Sequence, residues 1–314
     1  MLATFITHDM CKQHLMPAHH PECPDRVDVI NNQLMASGID GLLLHKQAQL
    51  VTDEQILQVH SAEHLQRLMQ AQPAEGIVFF EDDVYLSPNT LIAARYAAGA
   101  ALLGVELVMQ NTTDVVFCNV RPPGHHAEKN RAMGFCIFNN IAIAARHALN
   151  QYGVERIAIL DFDVHHGNGT QDIFLNDERV LFCSSFQYPF YPNTPIDDMP
   201  AHIINVPLKA GCRSEAFREA ITKHWWPAIE IHKPKLIFIS AGFDAFIDDD
   251  MSSVQLVEQD YLWISQQIRQ YMDKSKHNAE NEQCKGIISS LEGGYDLPSL
   301  GRCVVQHIKG MAKL

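Results

Sequence analysis

Seven short apolar runs dominate this chain and leave few folds open to it. They are ATFITH (3–8), DVVFCNV (114–120), RIAILDFD (156–163), VLFCSSF (180–186), HIINVPL (202–208), KLIFISAG (235–242) and KGIISSLEGG (285–294). Their β-branched and apolar residues fall on both faces, the pattern of strands buried on both sides of a parallel sheet. Helical stretches lie between them. SPNTLIAARYAAGAALLGVELVMQ begins with Ser87 as cap and Pro88 at the first helical position. FNNIAIAARHALNQYG closes at Gly153, and SEAFREAITKHWWPAIEIH and VEQDYLWISQQIRQYM carry helical spacing of apolar residues. Strands alternating with helices predict an α/β domain over residues 1–314, with a central, mostly parallel sheet flanked by helices. The most loop-like tract, 273–286, is too short to separate two domains.

Composition narrows the function classes. Hydrophobic residues make up 46% of the 314 and charged residues 19%, enough for a packed core. The net charge of −13 disfavours direct nucleic-acid binding and fits cationic partners. The eight cysteines stand singly, without CxxC spacing, so reduced thiols are expected rather than a zinc knuckle or disulfides. No basic leader and no run of ~18 apolar residues is visible, so no membrane span is expected. An intracellular, by default cytoplasmic, location is the expectation, with nuclear or exported locations left open.

The unusual residues cluster in one place. RPPGHHAE follows the run at 114–120, DFDVHHGNG follows 156–160, SSFQYPFYP follows 180–183, AGFDAFIDDD follows 236–240, and LEGGYD follows 286–290. Five polar motifs thus fall at the C-terminal ends of five expected strands, the edge where open α/β sheets bind ligands.

Their chemistry suggests a metal site. Asp161, Asp163 and His165 alternate and project to one side of an extended segment. Asp163 and His165 can offer one oxygen and one nitrogen to one metal, and Asp244 brings a second carboxylate. Two aspartates and a histidine leave a coordination position free, as in a catalytic zinc site, although iron or cobalt would suit the same donors. The competing possibility is that Asp163 and His165 merely cap the next helix. His125 and His126 are adjacent and cannot ligate together. One can face a metal-bound water while the other turns to a carboxylate behind it. Tyr295, delivered by Gly293-Gly294, can donate to a developing oxyanion. Phe135, with Phe190 or Tyr191, can wall a narrow channel.

With HPECPDR, RPPGHHAE, GFCIFNN, LDFDVHHGNGT, SAGFDA and LEGGY in order along the chain, the sequence resembles the histone deacetylase family. It looks closest to the class II and bacterial amidohydrolase-like branch. The resemblance implies the arginase/deacetylase fold and hydrolysis of an N-acetyl amide, typically on lysine. It implies Zn²⁺ at Asp163, His165 and Asp244, and His126 as general base and later proton donor to the amine. His125 would pair with Asp161, and Tyr295 would donate to the substrate carbonyl. Gly134, Phe135 and Tyr191 (or Phe190) would flank the acyl-lysine chain, and Arg26 would line an acetate-release channel. A monovalent cation, usually K⁺, would sit near Asp161, Asp163, His165, Ser184 and Ser185. Implied substrates are acetyl-lysine in proteins or peptides, histones included, or an acetylpolyamine; an inactive acetyl-lysine-binding module is a further alternative.

Three departures modify these expectations. Asn168 stands where class I relatives carry an aspartate, so His126 loses an anionic partner. The segment SSFQYPFYPNTP is shorter than in many relatives. FIDDDM places Asp250 where relatives usually have proline, so Asp248, Asp249 and Asp250 are expected as an acidic rim or a solvated acidic loop.

Overall fold

The computed structural model describes residues 2–277, 279 and 282–314. In chain order the elements are β1 (Thr4–Thr7), α1 (Asp25–Ser37), β2 (Leu44–Gln47), α2 (Asp53–Ile56), α3 (Ala62–Ala71), β3 (Val78–Glu81), β4 (Val84–Leu86) and α4 (Thr90–Met109). Then come β5 (Val115–Cys118), α5 (Asn140–Gln151), β6 (Ile157–Asp161), α6 (Asn168–Phe174), β7 (Val180–Gln187), β8 (Ile203–Leu208) and α7 (Ser214–His232). The chain closes with β9 (Leu236–Ala241), α8 (Glu258–Ser275), β10 (Ile287–Leu291) and α9 (Leu297–Ala312).

All seven apolar runs form strands of one sheet, in the order β2-β1-β5-β10-β9-β6-β7-β8. Every pairing in it is parallel. The side-chain period of two sends alternate residues into two cores. Phe5, Phe117, Leu160, Leu181 and Ile239 join α1, α7, α8 and α9 on one face. Ile6, Cys118, Ile159, Phe182 and Phe238 join α2 to α6 on the other.

Four sequence expectations need correction. The sheet gains an eighth strand, β2, whose residues LHKQ are mostly exposed because it pairs on one side alone. A small antiparallel hairpin, β3–β4, was also not foreseen. Helix α4 starts at Thr90, not beside Ser87: Ser87–Thr90 form a turn in which the Ser87 amide donates to Thr90 Oγ1 at 2.8 Å. That same helix is long and apolar enough to cross a membrane by length and composition, against the expectation of no such run. Its most apolar window is 67% buried, and its alanines pack in the core. Of the loop-like tract 273–286, Asp273–Ser275 close α8, and positions 278, 280 and 281 lie outside the described residues. All eight cysteines are free, seven of them buried.

The order of the sheet positions the site. The chain leaves β5 and next enters the sheet at β6, and β9 and β10 later fill the gap between them. The loops from the C-terminal ends of β5, β6, β9 and β10 therefore meet above the middle of the sheet, at its switch point.

Candidate active site

A cleft of about 240 Å³ opens at this edge, lined by Asp83, His126, Gly134, Phe135, His165, Phe190, Tyr191, Met251 and Tyr295. His165, which lines the cleft, is met by the fully buried Asp163 and Asp244, with donor atoms of the three within 4.8 Å of one another. His165 Nδ1 lies 3.1 Å from Asp163 Oδ1 and 3.1 Å from Asp244 Oδ2. Backbone amides hold the carboxylates: His165 N donates to Asp163 Oδ1 (2.9 Å), Gly293 N to Asp163 Oδ2 (2.8 Å) and Val164 N to Asp244 Oδ1 (2.9 Å). A Cβ on Gly293 would stand 2.2 Å from Asp244 Oδ2, so glycine is what lets that strand end approach both carboxylates. Asp163 and His165 do not cap α6, whose N-cap is Gly167 and makes no side-chain bond.

The electrostatics of the three donors fit a bound cation. Burial and the charge of Asp163 push Asp244 up to about 7. Burial works against a charged His165, but Asp163 and Asp244 outweigh it and raise its imidazole to about 10. Burial disfavours a charged Asp163, but His125, His165 and His126 prevail and leave it ionised, below the usual carboxylate range, so negative charge concentrates beside Asp244. A divalent ion would neutralise it, and two oxygens and one nitrogen suit zinc.

The adjacent histidines divide as their geometry requires. His125 Nδ1 lies 3.0 Å from Asp161 Oδ2. Burial disfavours its charge, but Asp163 and Asp161 prevail and push it up to about 10. His126 turns the other way, with Nδ1 2.7 Å from Asn168 Oδ1. Asn168 Nδ2 donates to Glu128 Oε1 at 2.7 Å, which fixes the amide so that its oxygen faces His126. His126 therefore carries its proton on Nδ1 and presents a bare Nε2. Burial, with the charges of His125 and His165, holds this imidazole well below its ordinary value. Gly134 makes room for the ring, since a Cβ there would lie 2.1 Å from His126 Cδ2.

Aromatic side chains wall the cleft. Phe190 stacks on His165 with ring centres 5.6 Å apart, and Tyr191 meets His126 edge-on at 5.3 Å. Both residues line the cleft, so the choice between them dissolves. Opposite, Phe135 meets Tyr295 edge-on at 5.9 Å. Burial raises the Tyr295 phenol well above its ordinary value, so it keeps its proton.

A profile described as the histone deacetylase domain matches residues 20–311. The chain belongs to the histone deacetylase family. An uncharacterized protein of Synechocystis is 38% identical, covering 98% of this chain and 99% of its own. The histone deacetylase-like amidohydrolase of Pseudomonas aeruginosa is 33% identical over 94% of this chain and 78% of its own. The crystal structure of the HDA15 HD domain superposes with a TM-score of 0.90 at 30% identity, covering 100% of this chain and 90% of that one. The parallel sheet with its flanking helices is thus the arginase/deacetylase fold, and the chain is a hydrolase of the deacetylase family.

The remaining expected residues are near but not all in the cleft. Arg26 is buried behind Tyr295, its guanidinium carbon 4.9 Å from the ring centre. Its Nε donates to Gly294 O at 2.7 Å, Nη2 donates to Glu292 O, and Nη1 pairs with Glu22. Ser184 and Ser185 are buried on β7, beside Asp161 at the end of β6. The acidic rim is corrected: Asp248 and Asp250 are exposed, but Asp249 is buried and turned inward. Asp83 and Met251 line the cleft without having been singled out from the sequence. Asp83 also accepts from Gly134 N at 2.7 Å, which steadies Phe135 at φ +64°. The DD of EDDVYL was the signal for it.

Proposed function

We propose that the chain is a zinc-dependent lysine deacetylase that hydrolyses the N-acetyl amide of acetyl-lysine in proteins or peptides. The observation that carries this reading is the convergence, in one aromatic-walled cleft, of His126, Tyr295 and the Asp163–His165–Asp244 donor set. Phe135, Phe190 and Tyr191 suit the methylene chain of a lysine, whose own charge acetylation has removed.

Zn²⁺ held by Asp163, His165 and Asp244 would supply Lewis acidity toward the amide carbonyl and the attacking water. His126 takes the water's proton at Nε2, because its Nδ1 proton is committed to Asn168. The same Nε2 then returns that proton to the departing amine. Tyr295 donates to the carbonyl oxygen as negative charge develops there. His125, kept charged by Asp163 and by its hydrogen-bonded partner Asp161, adds fixed positive charge beside the reaction without moving protons. Acetate would leave past Arg26. A K⁺ at Asp161, Asp163, His165, Ser184 and Ser185 completes the proposal. The Ser184 and Ser185 hydroxyls, buried without a hydrogen-bond partner among the described residues, support it.

An acetylpolyamine is the second substrate reading. It is favoured by Asp83 in the cleft and by exposed Asp248 and Asp250, which share a shallow depression with Met251 and Tyr295. A panel of acetyl-lysine peptides, longer acyl-lysines and acetylpolyamines, with and without chelator, tests both. Turnover of peptides abolished by chelator is the expected outcome. Turnover of polyamines alone would replace the protein substrate, and acetyl-lysine binding without turnover would replace the enzyme with a binding module.

A further inference from the structure

Tyr295 can act as a donor only if its backbone is held in register with the Asp163–His165–Asp244 set, and the chain approaches it through two consecutive glycines, the residues least able to hold a conformation by themselves. Something else must fix the turn. Two buried side chains of opposite charge grip it from two sides. The Arg26 guanidinium takes the carbonyl oxygens, those of Glu292 and Gly294. Asp249 takes the amides: its Oδ2 accepts from Tyr295 N at 2.6 Å and from Asp296 N at 3.0 Å. The other oxygen, Oδ1, accepts from Met251 N at 3.0 Å, which locks the carboxylate to its own loop.

That loop is the one that carries Asp244. It is folded tightly on itself, with Asp249 N donating to Phe246 O and Ser252 Oγ to Asp244 O, both at 3.0 Å. Behind the site the same two segments are joined by Phe243 N to Gly293 O at 3.0 Å and by Glu292 N to Ala241 O at 2.9 Å. Asp249 supplies the bond in front. Its side chain is only 4% exposed while its neighbours Asp248 and Asp250 face solvent, so one residue of an acidic run has been drawn inward. Burying a carboxylate is costly, and the three backbone amides offset part of that cost, burial still holding Asp249 above the usual carboxylate range.

We infer that Asp249 is a positioning residue that ties the phenol of Tyr295 to the loop bearing Asp244, so that oxyanion donor and metal donor move as one unit. The inference rests on the deacetylase reading for its purpose and on the three amide bonds for its geometry. Asp249 touches no substrate; it acts through Tyr295.

The test uses the zinc-loaded full chain with Asp249→Ala and the milder Asp249→Asn, which keeps one acceptor. Amide exchange in the peptide spanning Tyr295 and Asp296 is expected to accelerate in Asp249→Ala while zinc content stays at the wild-type level. The kcat on an acetyl-lysine peptide is expected to fall about tenfold or more, the scale of a displaced oxyanion donor, with KM changed less than about threefold. Asp249→Asn should recover part of the loss. Combined with Tyr295→Phe, Asp249→Ala should add nothing, since the group it positions is gone. Losses that multiply in the double variant, or a full kcat in Asp249→Ala, would overturn the inference and leave the deacetylase reading intact. A wild-type protein inert toward every N-acetyl amide would overturn that reading instead, and with it the purpose assigned to Asp249. If Asp249→Ala does not fold, Asp249→Asn decides by the same exchange and double-variant comparisons.

Discussion

His126 gives its Nδ1 proton to Asn168 Oδ1 across 2.7 Å, and a neutral amide rather than a carboxylate therefore supports the proposed base. An amide fixes the tautomer and favours the charged imidazole only through that hydrogen bond, too weakly to offset burial. A carboxylate would fix the tautomer and stabilise that charge strongly. Asn168→Asp should raise the pKa of His126, and because the base must be neutral to act, the acidic limb of the kcat/KM profile should move to higher pH. Asn168→Leu should leave the tautomer unfixed and lower kcat about tenfold or more. A pH–rate profile for each variant decides. An unmoved acidic limb in Asn168→Asp would detach His126 from the role of base.

Metal and proton chemistry should separate by mutation. Asp163→Ala removes a carboxylate that His165 and Gly293 both engage, so bound zinc and activity should disappear together. His126→Ala should keep zinc and lose turnover. Tyr295→Phe should keep zinc and lower kcat by about 10²-fold, the loss of one oxyanion donor. Metal analysis beside steady-state kinetics distinguishes the three. Near-full kcat in His126→Ala would refute the assigned base.

The sequence was most readable where structure is local. The strands buried on both faces announce themselves by composition, and the edge strand β8 shows itself as well because IINVPL is largely apolar. β2 was invisible because LHKQ is an edge strand with mostly exposed side chains, and nothing apolar marks it. Asp163 and His165 were legible because alternation within one extended segment is a local property. Phe190 and Tyr191 could not be separated, because the turn that brings both to the cleft is set by packing and not by spacing. Asp249, expected in an acidic rim or a solvated loop, fits neither, for a related reason. Its partners, the amides of Tyr295 and Asp296, lie 46 and 47 positions away along the chain, and backbone amides leave no trace in a sequence.

Buried neutral histidines should make the fold acid-sensitive. Burial holds His14, His60 and His307 down to about 3. His307 is the clearest of them. Ser265 Oγ donates to Tyr261 O at 2.5 Å and so accepts from His307 Nδ1 at 2.7 Å, leaving Nε2 to accept from Ser289 Oγ at 2.8 Å. In the unfolded chain each imidazole protonates near its ordinary pKa of about 6.5. These folded values are depressed, so the stability they contribute is complete above about pH 6.5 and is lost as pH falls toward 3, at up to about 1.4 kcal/mol per pH unit for each histidine. Urea unfolding between pH 7 and 5 should show this slope, and His307→Gln should reduce it by about one proton. An unchanged slope would mean that His307 is already charged in the folded protein.

Glu22 should be the costliest single carboxylate to neutralise away from the cleft. It is fully buried, with Oε1 2.5 Å from Arg121 Nε, Oε2 2.6 Å from Arg121 Nη2, and Oε1 3.2 Å from Arg26 Nη1. Burial alone would raise its pKa, but Arg121, with His14 and Arg26, holds it at about 2. Glu22→Gln leaves two buried guanidinium groups without their shared anion, a change expected to cost about 3–5 kcal/mol, since breaking a buried pair strands the surviving charge. The same residue adds an acid limb to stability. Its folded value lies below its unfolded one, so its contribution is full above the ordinary glutamate range and fades as pH drops toward 2. Because Arg26 also grips the carbonyls around Gly294, Glu22→Gln should loosen the Tyr295 turn as well as the fold, lowering kcat even at temperatures where the variant remains folded. Urea unfolding and kinetics on the same preparation check both effects. A stability within about 1 kcal/mol of wild type would show that solvent or a rearranged partner reaches these arginines.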